Sequence, residues 1–428
     1  MTLAPATTAA PTHAPPSWLL KLTLLLTACL TIMAGATISP SLPGITAAYA
    51  GTAHIELLSR LVLTLPALFV VIASPIIGRV ADRVGRTSLL IGTIVLYALA
   101  GSSGLWLDSF YGLLAGRALL GVAVAGIMTL GMALAGDYFN GAERDRYMGL
   151  QQAFTGFGGL VFLTAGGFLA DINWRYPFVI YAFALPLAFL AWRVLTEPMP
   201  DRPKGNDPAG VTFANPAGIL ALCVVALFVS GAFYIIPSQL PYRLKELGFM
   251  SPSLAGLSMG LMTFVSAMAS LTFGTLRSRM GAKVIFLVGL TAMALGITVT
   301  GASTTILTVM CGTGLTGLGM GISIPNIFSS AMALASPQTR GRTAGVITAS
   351  LFLGQFVSPL LSQPIIASFH YPAAFYAAAV LTIAALLPAL RSCLRCAPAV
   401  MTKFISLCIY WKSQRDFAGL LWRAMTNS

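Results

Sequence analysis

Apolar residues in this chain gather in runs of about 20, the length a helix needs to cross the hydrocarbon core of a bilayer. Twelve such runs can be marked, at 18–40, 56–77, 88–107, 111–136, 148–170, 178–195, 217–240, 253–276, 284–302, 306–335, 343–369 and 373–390. Each is read as a helix, because lipid offers the backbone no hydrogen-bonding partner and a helix satisfies its own N–H and C=O groups. Short polar breaks separate them. One break is longer: 197–216 holds Pro198, Pro200, Pro203, Pro208 and Pro216 beside Arg202, Lys204 and Asp207, a linker composition. The fold expected is therefore an all-α integral membrane protein of 12 transmembrane helices, six in 18–196 and six in 217–391. The Ala-, Thr- and Pro-rich residues 1–17 are expected to be a disordered leader, and 392–428 a basic tail that lies on the membrane surface or stays disordered.

Composition agrees with the pattern. Of 428 residues 57% are hydrophobic and 9% charged, far from the quarter-charged balance of soluble domains. The net charge of +13 does not point to nucleic acid, since the basic residues lie in the breaks and form no soluble face. They report orientation. With residue 18 starting inside, 20 of the Lys and Arg residues fall in the inner segments and tail, while the outer segments hold Arg175, Arg243 and Lys245. Cytoplasmic lysine and arginine set topology, so both termini are placed in the cytoplasm of a cell-membrane protein. Cys393 and Cys396 form a C-x-x-C without a second pair or a nearby histidine, so no zinc site is expected.

The two sets of six runs repeat one another. A shift of 196 residues carries Gly78, Arg83 and Gly85 onto Gly274, Arg279 and Gly281, and Arg144, Arg146, Gly149, Ala153 and Gly158 onto Arg340, Arg342, Gly345, Ala349 and Gly354. Tyr176-Pro177 returns as Tyr371-Pro372, one residue out of step. Two separate breaks sharing one offset imply two pseudo-symmetric six-helix bundles, an arrangement that places a site at the midplane between the halves.

The break from Gly78 to Arg86 carries the strongest motif. Two glycines permit a tight turn, and three arginines with one aspartate cannot lie in hydrocarbon cheaply. Its G-x-x-x-D-R-x-G-R spacing, met at Gly78, Asp82, Arg83, Gly85 and Arg86, resembles the signature loop between the second and third helices of the major facilitator superfamily of secondary transporters. That resemblance implies a latch in which Asp82 engages the cytoplasmic end of the eleventh run while the arginines meet nearby acids and lipid phosphates. A turn with topology-fixing charge is the competing reading. It leaves the aspartate unexplained, and the second copy has Ser278 there.

Ionisable residues inside the runs are few, and each is a functional candidate. Arg117, in Gly116-Arg117-Ala118-Leu119-Leu120-Gly121, resembles the R-x-x-x-G motif of proton-coupled members, which implies a part in proton coupling and in shaping the cavity. Snorkelling to the interface is the alternative. Glu56 and Arg60 lie four apart, on one helical face, and can pair. A sharper reading turns Arg60 into the cavity with Arg117 to hold an anionic group. Asp137, Glu56 and Asp171 are the possible proton carriers, against a role as interfacial caps or ion pairs. No Asp or Glu lies mid-run, which weakens the case for a cationic cargo. In the fifth run the G-P-x-x-G-G of antiporters is reduced to Ala165-Gly166-Gly167, while Asn173-Trp174-Arg175-Tyr176-Pro177-Phe178 resembles the loop before the sixth helix of drug exporters. Gln152, Tyr234, Asn326 and Gln355 are the polar candidates for substrate contact, with helix–helix adhesion as the alternative. By the resemblance, Tyr234 and Asn326 are better placed, on the seventh and tenth helices.

The function expected is proton-coupled efflux of small amphipathic compounds by alternating access, as a monomer among membrane lipids. A carrier of an anionic metabolite such as a carboxylate or siderophore, and a non-transporting membrane sensor, are the alternatives. No cofactor is expected. His13, His54 and His370 are isolated, and no nucleotide loop or paired nucleophile suggests an enzyme.

Overall fold

The computed structural model describes residues 18–139, 141–197, 215–336 and 339–394. The expected leader, most of the linker and most of the tail lie outside these residues. Every regular element among them is helical: α1 Trp18–Ala36, α2 Leu42–Ala48, α3 Ile55–Val84, α4 Arg86–Gly101, α5 Phe110–Tyr138, α6 Gly141–Ile172, α7 Ala184–Val194, α8 Pro216–Phe233, α9 Ile235–Glu246, α10 Pro252–Arg279, α11 Ala282–Ala302, α12 Ile306–Leu334, α13 Arg340–Ala384 and α14 Leu386–Leu394. Short 3-10 turns at Ser39–Ser41, Ser102–Leu105 and Tyr176–Phe183 join some of them.

Among the described residues, 11 helical stretches are long and apolar enough to cross a membrane. The last, Arg340–Leu390, has 51 residues, about 75 Å of helix at 1.5 Å per residue and more than twice a bilayer core. Its path breaks at His370, whose φ of 65° and ψ of 174° are not helical.

Two expected run ends move outward. The first span continues through Trp18–Ala48 and the seventh through Pro216–Glu246. Prolines were expected to stop the first at residue 40, but Pro43 occupies the first turn of α2, where a missing N–H costs no hydrogen bond. The interruptions fall at equivalent places: residues 37 and 38 between α1 and the 3-10 turn, and Tyr234 between α8 and α9, which is residue 38 shifted by 196.

The buried apolar side chains form two clusters. One draws on residues from Leu20 to Leu195 and adds Tyr234 from the later sequence; the other runs from Ile219 to Ala389 and adds Leu163 from the earlier. Large apolar residues such as Phe168, Phe189, Leu220 and Val380 stay exposed, as expected of surfaces that face lipid. The repeat extends to packing. A Cβ on Gly121 would collide with the Pro66 carbonyl, and one on Gly317 with the Met262 carbonyl; both pairs are related by 196.

Candidate functional site

The two clusters meet along two seams, α3 against α13 and α6 against α10. In the second seam the backbones touch: Gly167 allows the chain at Ser253 and Gly256 to approach. The first is polar. Arg60 on α3 is 1% exposed and donates from Nε to Gln239 Oε1 of α9 at 2.7 Å and from NH2 to the Tyr371 hydroxyl of α13 at 3.3 Å. Its guanidinium carbon stands 4.1 Å from the centroid of the Tyr242 ring. The Tyr242 hydroxyl meets Ser59 at 2.9 Å and Thr46 at 2.8 Å, while Gln239 Nε2 donates to Ser362 Oγ at 2.9 Å. Side chains from both clusters are thereby joined through one buried cation.

Glu56 does not form the expected ion pair with Arg60. Arg60 instead donates to the Glu56 backbone carbonyl, and the Glu56 carboxylate accepts from Gln363 Nε2 at 3.0 Å, bridging α3 to α13. Spacing of four residues sets which carbonyl an arginine meets, but the carboxylate is free to turn to a neighbouring helix.

Arg117 occupies a separate place. It is fully buried on α5, donating from NH2 to the Gly101 carbonyl at 2.7 Å and from NH1 to the Tyr181 hydroxyl at 3.1 Å. Phe178 and Tyr181 lie under its guanidinium, 5.0 and 4.9 Å from their centroids. None of these partners is shared with Arg60. Snorkelling does not describe this arginine, because its head is as buried as its stem.

At the other end of α3 the signature stretch turns at Gly85, where φ is 97°, a conformation glycine adopts freely. The Glu197 carboxylate caps the start of α4, accepting from the Arg86 N–H at 2.6 Å and the Thr87 N–H at 2.8 Å. Negative charge at a helix N-terminus is favourable there. Arg86 also pairs with Asp137 of α5 at 2.5 Å, so Asp137 is an ion-pair partner in this structure. The Arg83 side chain is exposed. The Asp82 side chain, on which the latch depends, lies outside the described residues. Gly78 on α3, Gly149 on α6, Gly274 on α10 and Gly345 on α13, two positions and their copies, have nothing within 4 Å of where a Cβ would sit.

The remaining candidates are dispersed. Asn326 is buried on α12 with its amide held by Arg277 NH1 at 3.1 Å and by the Ala282 carbonyl at 3.0 Å. Tyr234 lies at the α8–α9 interruption with its hydroxyl against Gly35 of α1. Gln152 is exposed and Gln355 partly buried, and neither side chain has a hydrogen bond to another described residue. Gln239, Tyr242, Ser362, Gln363 and Tyr181 were not anticipated. Gln239 had the signal used for Gln152, an amide inside an apolar run, and Tyr371 was visible as the repeat of Tyr176. Among the described residues no group of His, Cys, Asp and Glu could hold a metal ion.

Comparison with known proteins agrees with this architecture. The chain is 29% identical over 274 residues to the class C tetracycline resistance protein of Escherichia coli, covering 60% of this chain and 67% of that protein. It is 28% identical over 343 residues to the class D tetracycline resistance protein of Salmonella ordonez, covering 76% and 84%. Its fold superposes on a crystal structure of a D-xylose-proton symporter with a TM-score of 0.72 at 17% identity, covering 87% of this chain and 97% of that one. The profile of the Major Facilitator Superfamily matches residues 24–250 and again 222–403, nearly the whole helical region. The chain is a multi-pass membrane protein that belongs to the Major Facilitator Superfamily.

Proposed function

We propose that this protein exports small amphipathic compounds across the cell membrane by alternating access, driven by the proton gradient, as a monomer. The break at His370 divides the last helical stretch into two crossings, making twelve in two pseudo-symmetric bundles of six. The signature end faces the cytoplasm, as the distribution of Lys and Arg favours, and both termini lie there.

One observation carries the reading. The seam of α3 against α9 and α13 is tied at one end by Arg60–Gln239 and Glu56–Gln363, and the four glycines at the other end stand clear of neighbours. That is the expected form of a state open to the cytoplasm and shut outside. Rocking one bundle against the other would bring Gly78 and Gly149 towards Gly345 and Gly274, with Asp82 latching the closed inner end, and would pull Arg60 from its partners. The tetracycline resistance relatives support efflux and an amphipathic cargo.

A second reading, transport of an anionic metabolite, rests on Arg60. Among the described residues it has no carboxylate partner, so on opening it would present an unpaired cation to the pathway.

Proteoliposomes with an imposed pH gradient test both. Gradient-dependent movement of tetracycline or cationic dyes, reduced about tenfold by Arg60→Gln, supports the export reading. Movement of carboxylates alone favours the second. Cargo flux that is the same with and without the gradient overturns proton coupling.

A further inference from the structure

Arg117 poses an energetic problem that its surroundings do not solve. It lies about 10 Å along α5 from the start of that helix, is fully buried, and has only neutral partners among the described residues, with Nε unpartnered. A buried charge without a counter-ion is costly, and a chain that keeps one at membrane depth keeps it for use.

The later half meets the same structural need differently. A Cβ on Gly101, at the end of α4, would collide with the Tyr181 ring; one on Gly301, at the end of α11, would collide with Phe375. By the offset of 195 that carries Tyr176-Pro177 onto Tyr371-Pro372, the counterpart of Tyr181 is Tyr376, whose ring also lies beside Gly301. Position 117 shifted by 196 is Thr313, whose hydroxyl stays on its own helix at the Met310 carbonyl. The Gly301 carbonyl is met by Arg243, whose charge is balanced by Glu246 at 2.7 Å. A phenol thus recurs in the later half, while a buried cation at the place of Arg117 does not. Packing alone does not need that cation.

The Tyr181 hydroxyl leads away from Arg117. It lies 3.3 Å from the Met33 carbonyl and 3.4 Å from that of Ala34, in the last turn of α1, where carbonyls have no partner further along the helix. The next residue is Gly35, and its missing side chain is the space filled by the hydroxyl of Tyr234 from the other half. Arg117, Tyr181, the end of α1 and Tyr234 form one continuous line from the core of the first half to the boundary with the second.

We infer that Tyr181 is a positioning residue that couples Arg117 to the boundary between the halves: its hydroxyl fixes the last turn of α1, and with it the seat of Tyr234. The seating of the buried cation and the relative placement of the halves then change together. This rests on the alternating-access reading above and adds the residue that transmits within it.

The test is a distance measurement on purified, cargo-free protein. Spin labels at Met148 of α6 and Ser278 of α10, in a cysteine-free background, report the opening of the signature end by pulsed electron resonance. Tyr181→Phe keeps the ring and removes the hydroxyl. It should shift the ratio of open to closed populations about fivefold, the weight of one neutral hydrogen bond. Arg117→Lys should shift it in the same direction, and the double variant no further than the larger single effect. Tyr97→Phe is the control: it keeps the ring that packs 5.6 Å from that of Tyr181 and removes only a hydroxyl that donates to the Leu30 carbonyl of the same helix at 2.7 Å, so it should leave the ratio unchanged. A distribution common to all variants, additive effects of Tyr181→Phe and Arg117→Lys, or a shift in Tyr97→Phe as large as in Tyr181→Phe overturns the inference. A protein that moves no cargo while Tyr181→Phe still shifts the ratio refutes the export reading and leaves the coupling standing.

Discussion

The stretch 78–86 and its copy 274–282 follow similar paths and are held by different chemistry. In the first, Gly85 turns at a φ of 97°, Glu197 caps α4 and Arg86 pairs with Asp137. In the second, Gly281 has an ordinary φ of −68°, no side chain caps α11, and Arg277 reaches the neutral amide of Asn326, which also holds the Ala282 carbonyl. Two carboxylates at one loop are answered by one amide at the other. The fold needs a tie at each position, and the difference shows that the tie does not need a carboxylate. The acids at the first loop are therefore available for a task the second does not share.

The sharpest way to break this contrast is Asp137→Asn. It leaves Arg86 without its carboxylate in a partly buried setting, with side-chain exposures of 28% and 16% for the pair. A loss of about 2 kcal/mol is expected, below the 3–5 of a fully buried pair, and read as a lower melting temperature in detergent. Asn326→Asp gives Arg277 a carboxylate but removes the donor that holds the Ala282 carbonyl, two effects of opposite sign, so it should cost less than Asp137→Asn. Equal losses in both would show that the two ties are chemically alike.

A smaller effect separates the two turns. Gly85→Ala forces a side chain into a left-handed conformation and places its Cβ 3.1 Å from the Glu197 carboxylate, for an expected cost of about 1 kcal/mol or more. Gly281→Ala meets nothing within 4 Å and should be neutral in the same melting assay. The smallest effect is that of Glu197→Gln, which keeps an acceptor at α4 and removes the charge. About 0.5 kcal/mol should be lost, and the difference should shrink as salt is added.

Hydropathy was enough to locate the helical runs, because lipid imposes that pattern on every residue that faces it, and the glycines of 78–86 were enough to locate the turn at Gly85. Partners were beyond reach. Arg60 and Arg117 stood out as ionisable groups in apolar runs, but Gln239 is 179 residues from Arg60 and Tyr371 is 311. Glu197 read as the first residue of a linker, although its carboxylate belongs to α4. Asn326 read as a residue beside the pathway from its place in the tenth run; its amide is held by groups near the end of α10 and the start of α11. The run end at 40 fell short because a proline can start the next helix as easily as stop the last, and the one at 240 because α9 continues through Pro241.

Thr46 and Tyr242 touch at 2.8 Å and are 196 residues apart, so they occupy one position of the repeat and meet where the two copies face each other. In an assembly of two identical units that position would touch itself, and any substitution would appear on both sides of the contact at once. A small hydroxyl opposite a large phenol is a pairing that self-association forbids. Joining the units in one polypeptide removed that restriction, and the asymmetry around Tyr242, with Arg60 beneath its ring, is something only a fused chain could acquire.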